Sequence, residues 1–132
     1  MQQLSAERVK DAEALLIAAQ TSGAYYLAGY AVECALKACI AKRTNQYDFP
    51  DKKYAMECYT HNLEDLVKSS GLFTQLKIDM KLNAGLETNW LTVKDWSESS
   101  RYEITSDSKA QTMVGAVTEP SNGVLQWIMV HW

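Results

Sequence analysis

Histidine, proline, glycine and cysteine are all scarce in this chain of 132 residues, at two, two, six and three respectively. So few prolines and glycines leave helices free to run long, and no internal repeat or low-complexity tract interrupts them. Cys34, Cys39 and Cys58 are an odd number and supply no disulfide framework. No secretory segment is evident either, because the apolar run at 14–19 is too short and follows Lys10, Asp11 and Glu13. A reduced, cytoplasmic protein is the expectation. Basic surplus is missing as well: a net charge of -3 and a pI near 5.3 argue against a surface that grips duplex nucleic acid through many phosphates, leaving room only for a local basic patch. Cys58 and His61 have the spacing of half a metal site, but structural zinc needs about four ligands, so no metal and no cofactor is assigned. Residues 24–41 are the nearest approach to a membrane span. Glu33 and Lys37 would each cost about 2.5 to 3.5 kcal/mol at its centre, and Gln20, Thr21 and Ser22 limit its length, so no membrane role is expected.

What the chain does have is one helix that is apolar almost all the way round. Residues 23–43 read GAYYLAGYAVECALKACIAKR. At about 100° per residue, Tyr26, Tyr30, Glu33 and Lys37 fall within roughly 60° of arc. Ala31, Cys34, Ala35, Ala38 and Ala41 line one flank of that stripe, and Tyr25, Val32, Leu36 and Cys39 line the other. A helix covered on both flanks is the central helix of a bundle, and its alanines let a neighbour approach closely. The whole chain, 1–132, is expected to be a single domain that buries roughly two thirds of its unfolded surface.

The remaining segments are helical or irregular, with no strand pattern of useful length. Ser5 can cap a first helix over about 5–20, in which Val9, Ala12, Leu16 and Ala19 recur at helical spacing. Thr21, Ser22 and Gly23 then read as a turn short enough to fold the first two helices into an antiparallel hairpin. Residues 44–59 lose periodicity and carry Tyr47, Phe49, Tyr54 and Tyr59 among turn formers, which predicts a long aromatic-bearing loop. Thr60 can cap a third helix that points Leu63, Leu66 and Val67 inward and stops at Gly71. Helical spacing resumes over 72–96 as one or two helices with a break near Gly85. Residues 97–108 read as a second irregular loop holding Arg101 and Tyr102. A last helical stretch starts around Lys109 and breaks near Glu119, ahead of Pro120. The sum is an all-α, up-and-down bundle of about five helices.

Residues 25–38, YYLAGYAVECALKA, resemble the central helix of HEPN domains. Thr60-His61-Asn62-Leu63 opening a helix, the segment from Trp96 to Arg101-Tyr102, and the terminal Val124-Leu125-Gln126-Trp127-Ile128 follow in the order seen in bacterial HEPN proteins. The resemblance spans about residues 5–130. It implies a helical bundle that commonly forms homodimers and is often encoded beside a small nucleotidyltransferase as a toxin and antitoxin pair. Some family members are ribonucleases that use an arginine and a histidine with four to six residues between them. This chain departs from that pattern. The window after Arg101 holds Ser106, Asp107 and Ser108, that after Arg43 holds Asp48, Phe49 and Pro50, and that after Arg8 holds Glu13, Ala14 and Leu15. Family-type cleavage therefore has no residue pair here, and no catalytic residue is assigned.

Seven residues are candidates for ligand contact: Tyr26, Tyr30, Glu33, Lys37, His61, Arg101 and Tyr102. Each also has a plainer role. Glu33 and Lys37 as an ordinary helix pair would contribute only about 0.2 to 0.5 kcal/mol, whereas in the functional reading Lys37 meets a phosphate that Glu33 or Tyr30 orients. Tyr26 and Tyr30 are either core residues with satisfied hydroxyls or a stacking surface for a base. His61 is either bonded to nearby backbone or a carboxylate, or a catalytic group. Arg101 either pairs with Asp95, Glu98 or Glu103, or presents its planar fork to an anion. Trp132 would be exposed in a monomer unless something covers it, which favours a dimer. The leading expectation is a non-catalytic HEPN-like homodimer that binds a nucleotide, an RNA segment or a nucleotidyltransferase. An atypical ribonuclease using Arg101 with His61, and a purely structural oligomerisation module, are the alternatives.

Overall fold

The computed structural model describes residues 1–46 and 58–132. In chain order these form α1 (Gln2–Ile17), α2 (Thr21–Gln46), α3 (Leu63–Ser69), α4 (Phe73–Leu82), α5 (Ala84–Val93), a 3-10 turn (Glu98–Tyr102), α6 (Asp107–Thr118) and α7 (Val124–Met129). The protein is all-α, and no strand occurs among the described residues. The central-helix expectation holds: α2 packs against α1, α3, α6, α7 and the 3-10 turn. Ala24, Ala28, Ala31 and Ala35 are each 1% exposed or less. Side chains that small bring neighbouring backbones close without leaving voids.

α1 and α2 are the antiparallel hairpin that their short connection implies. The start of α1 lies beside the middle of α2, since Ser5 Oγ donates to the Ala31 carbonyl at 2.8 Å. Ser5 is therefore a buried packing residue and not the cap, and α1 begins at Gln2. The turn also falls earlier than expected. α2 already begins at Thr21, and the reversal is made by Ala18 to Gln20 with Ala19 at φ 60°. Thr21 and Ser22 serve as an anchor instead. Thr21 Oγ1 donates to the Thr105 carbonyl at 2.7 Å, and the Thr105 amide donates to Ser22 Oγ at 2.9 Å.

Seven α-helices stand among the described residues where about five were expected. The stretch 72–96 is two helices, divided at Asn83 and not at Gly85, because Asn83 takes an extended backbone and its side chain accepts from the Leu86 amide. The Asn62 side chain, not that of Thr60, caps α3, accepting from the Asp65 amide at 3.0 Å. α6 begins at Asp107 behind a Ser106 cap, and it ends at Thr118 close to the break expected near Glu119. α2 continues through Thr44 to Gln46. Tyr47, Phe49 and Tyr54 lie outside the described residues, and Tyr59 is exposed. No helix among the described residues is long and apolar enough to cross a membrane.

At Gly29 the indole of Trp96 lies on the backbone of α2. A methyl group built at that position would sit 2.2 Å from Trp96 Cδ1. Exchanging this glycine for alanine gains about 1 kcal/mol of helix propensity, while forcing a buried ring to shift costs about 1 to 3 kcal/mol. The clash involves three ring atoms at 2.2 to 2.3 Å, so it wins. Gly29→Ala is expected to lower the urea midpoint, and a raised midpoint would show that the indole is not seated there.

α4 is fastened to α7 by Trp127 Nε1, which donates to Asp79 Oδ2 at 2.8 Å, and Gln75 donates to the other carboxylate oxygen at 2.9 Å. The indole bond, then the Gln75 bond, hold the Asp79 carboxyl below the usual carboxylate range. A depressed folded pKa stabilises the fold above the unfolded carboxylate pKa and ceases to do so as pH falls through the folded value. The acid-side movement of the Trp127 indole N–H resonance that reports Asp79 is expected below the ordinary carboxylate range. In Asp79→Asn that acid-side change disappears.

Candidate functional site

Side chains at i, i+4, i+7 and i+11 share one face of a helix, and α2 uses that spacing to carry Tyr26, Tyr30, Glu33 and Lys37 in a row. The two tyrosine rings stack at 6.1 Å with planes 7° apart, and Tyr26 also meets the Trp96 ring at 5.9 Å. Both tyrosines are half-buried. Burial, followed by neighbouring Cys34, raises the Tyr30 pKa, so its hydroxyl stays protonated. Burial also pushes the Cys34 thiol up, with the Glu33 charge adding to the effect, which removes it as a nucleophile.

Glu33 differs from the open stripe that helical spacing alone suggests: it is 2% exposed. Its Oε1 accepts from Lys37 Nζ at 2.8 Å and also bonds His61 Nδ1 at 2.9 Å. A carboxylate only accepts, so Nδ1 carries the proton in that bond. Oε2 is buried and has no hydrogen-bond partner among the described residues. The i,i+4 pair is thus two members of a three-residue cluster whose third, His61, lies 28 positions from Glu33, just ahead of α3. Asn62 starts that helix and so fixes the residue before it. His61 is half-exposed, and Glu98 Oε2 stands 3.5 Å from the same Nδ1.

Glu98 belongs to the 3-10 turn that packs on α2, and the same turn delivers Arg101 and Tyr102. The Arg101 guanidinium lies 4.8 Å from the centre of the Tyr102 ring. Hydrogen bonding to Tyr102, and further to Tyr26, raises its already high pKa. Of its expected acidic neighbours, Asp95 meets Lys94 and Glu98 meets His61. Arg101 has no ion-pair partner among the described residues. The segment therefore combines an exposed cation, an exposed ring and a half-buried aromatic pair, in contact with one another through Tyr26.

All seven candidate residues come together along this face, from Tyr102 and Arg101 at one end through Tyr26 and Tyr30 to Glu33, Lys37 and His61. Glu98 was missed. Its only sequence signal is an acidic residue three positions before Arg101 in a segment without helical spacing. Among the described residues, no group of three or more histidine, cysteine, aspartate and glutamate side chains is arranged to hold a metal ion. Trp132 corrects another expectation, since it is half-buried against the core of its own chain and its carbonyl accepts from Lys42 at 3.4 Å. A second copy is not needed to cover it. On a different side of α2, a cavity of about 360 Å³ is lined by Cys39, Lys42, Arg43, Ser70, Gly71, Leu72 and His131. No family model, curated protein or solved structure matches this chain.

Removing the Glu33 carboxylate leaves both Lys37 and His61 without their shared acceptor. Hydrogen bonds to charged groups contribute about 1.5 to 3 kcal/mol, so Glu33→Ala is expected to lose about that much unfolding free energy in urea, and Glu33→Gln less. A loss below about 0.5 kcal/mol would reduce the cluster to an ordinary surface helix pair.

Proposed function

We propose that this chain is a non-catalytic HEPN-type helical module that binds a nucleotide or a short single-stranded RNA on the face formed by α2 and the 3-10 turn. The observation that carries this reading is Arg101. It is exposed, rests on an exposed tyrosine and has no carboxylate partner among the described residues, beside the stacked pair of Tyr26 and Tyr30. A planar guanidinium suits a phosphate, and an aromatic ring suits any base because every base has a π-face. An acidic chain with one local cation of this kind fits a ligand carrying few phosphates better than a duplex. The resemblance of residues 25–38 to HEPN domains supports the same reading. It also carries the family's partners into the proposal: a homodimer, and a nucleotidyltransferase encoded alongside, as in HEPN toxin and antitoxin pairs.

One observation favours a second reading, metal-independent RNA cleavage. His61 is held through Nδ1 by a buried carboxylate at 2.9 Å, an arrangement that orients an imidazole for general base work, and Arg101 lies along the same face. Incubating the purified protein with RNA separates the two readings. Cleavage that is lost in both His61→Ala and Arg101→Ala supports the enzyme, and intact RNA supports the binding module.

Binding is read by fluorescence anisotropy of a labelled single-stranded RNA and by calorimetry with ATP. Arg101→Ala is expected to weaken binding about tenfold or more, the equivalent of one charge-assisted hydrogen bond. Tyr102→Ala is expected to weaken it by about 1 to 3 kcal/mol of stacking. Undiminished affinity in both variants would refute this face as the site.

A further inference from the structure

The cavity beside Lys42 and Arg43 lies well away from the stripe. At about 100° per residue, these two residues stand roughly 110° to 150° round α2 from the centre of the Tyr26 to Lys37 row. Its lining joins Lys42 and Arg43 with Ser70, Gly71 and Leu72 after α3 and with His131 after α7. Three cationic or protonatable side chains thus meet from two distant segments, and among the described residues no carboxylate lines the space. Neither Lys42 nor Arg43 has an ion-pair partner among the described residues.

Arg43 is exposed, and its guanidinium lies against the chain at Gly71. Gly71 has φ 79°, and a Cβ there would fall 2.1 Å from Arg43 Nη1. The guanidinium therefore rests on backbone that only a glycine leaves bare. Lys42 is steered by the Trp132 carbonyl at 3.4 Å, and the His131 ring is held 4.7 Å from that of Trp127. Two cations, Lys42 and Arg43, with no ion-pair partner among the described residues leave positive potential in a concave space, the condition for anion capture. At about 360 Å³ the cavity falls in the range of small-molecule sites, about 300 to 1,000 Å³, and exceeds what a bare phosphate needs. Leu72 supplies an apolar wall for the remainder.

We infer that this cavity is a second ligand site, which takes the phosphate end of a small organic phosphate. Arg43 makes the planar contact, and Lys42 and His131 complete the charge. The site is independent of the α2 stripe, so its test separates from that of the first. Calorimetric titrations use pyrophosphate and AMP, with wild type, Arg43→Gln, Lys42→Gln and Arg101→Ala. Saturable binding of pyrophosphate is expected, weakened about tenfold or more in Arg43→Gln and weakened in Lys42→Gln; AMP, which the stripe also takes in the proposed function, is followed through the amides of Ser70 and Gly71, whose shifts persist in Arg101→Ala. Amide resonances of Ser70 and Gly71 in the unaltered protein should shift along the same titration, which keeps the test valid if a variant fails to fold. Absence of binding by both probes at 10-millimolar order of concentration overturns the site. So does binding that is lost in Arg101→Ala while Ser70 and Gly71 stay still, which would place the ligand on the stripe.

Discussion

Close approach to α2 is the constraint from which the other features follow. A helix with neighbours on most of its circumference must carry side chains small enough for backbones to meet, and the alanines at 24, 28, 31 and 35 and the glycine at 29 meet that demand. The indole of Trp96 occupies the space at Gly29. Because that ring ends one segment and begins the next, its position decides where the 3-10 turn can lie. Burial of the flanks also shapes the electrostatics, since Glu33 is tolerated at 2% exposure only with cationic and protonatable partners on its oxygen.

The site is assembled from pieces that are each fixed by something else. Trp96 at one end, and the bonds from Thr21 and Ser22 to Thr105 at the other, bracket the segment that bears Glu98, Arg101 and Tyr102. The Asn62 cap sets the start of α3 and thereby the residue before it, whose imidazole reaches Glu33. None of these anchors touches the proposed ligand. They give an otherwise irregular stretch a defined relation to the stacked tyrosines, which favours binding because less ordering is left to be done at the moment of association.

Much of this was readable from residue spacing. The continuous α2 and its polar row rest on helical periodicity, the hairpin with α1 on the shortness of the connection, and His61, Arg101 and Tyr102 on residue type, all of it local information. What failed were features decided across the fold. Ser5 is a good cap by type, yet its hydroxyl serves Ala31, 26 positions away. The reversal before α2 uses Ala19 at positive φ, where residue type would point to Gly23. Glu33 belongs to the polar row by angle, but the surrounding elements hide it. The cavity of Lys42, Arg43 and His131 left no trace in spacing, because two cations near the end of a helix are ordinary partners for its dipole. Gly71 looked like a helix stop and is that, but its second duty, making room for Arg43, required the position of the arginine.

The order in which the chain is made bears on how α2 is sheltered. Among the described helices α1 comes before α2 in the chain and α6, which packs on α2 and whose Lys109 lies over the Tyr25 ring at 4.9 Å, comes after it. At about 5 to 20 residues per second, α6 emerges on the order of several seconds after α2 is complete. Through that interval the nascent chain displays the apolar surface of α2 that α6 later covers. The half-made protein is thus the vulnerable species, suited to capture by chaperones that hold exposed hydrophobic segments, and translation speed across residues 47–118 sets how long the exposure lasts.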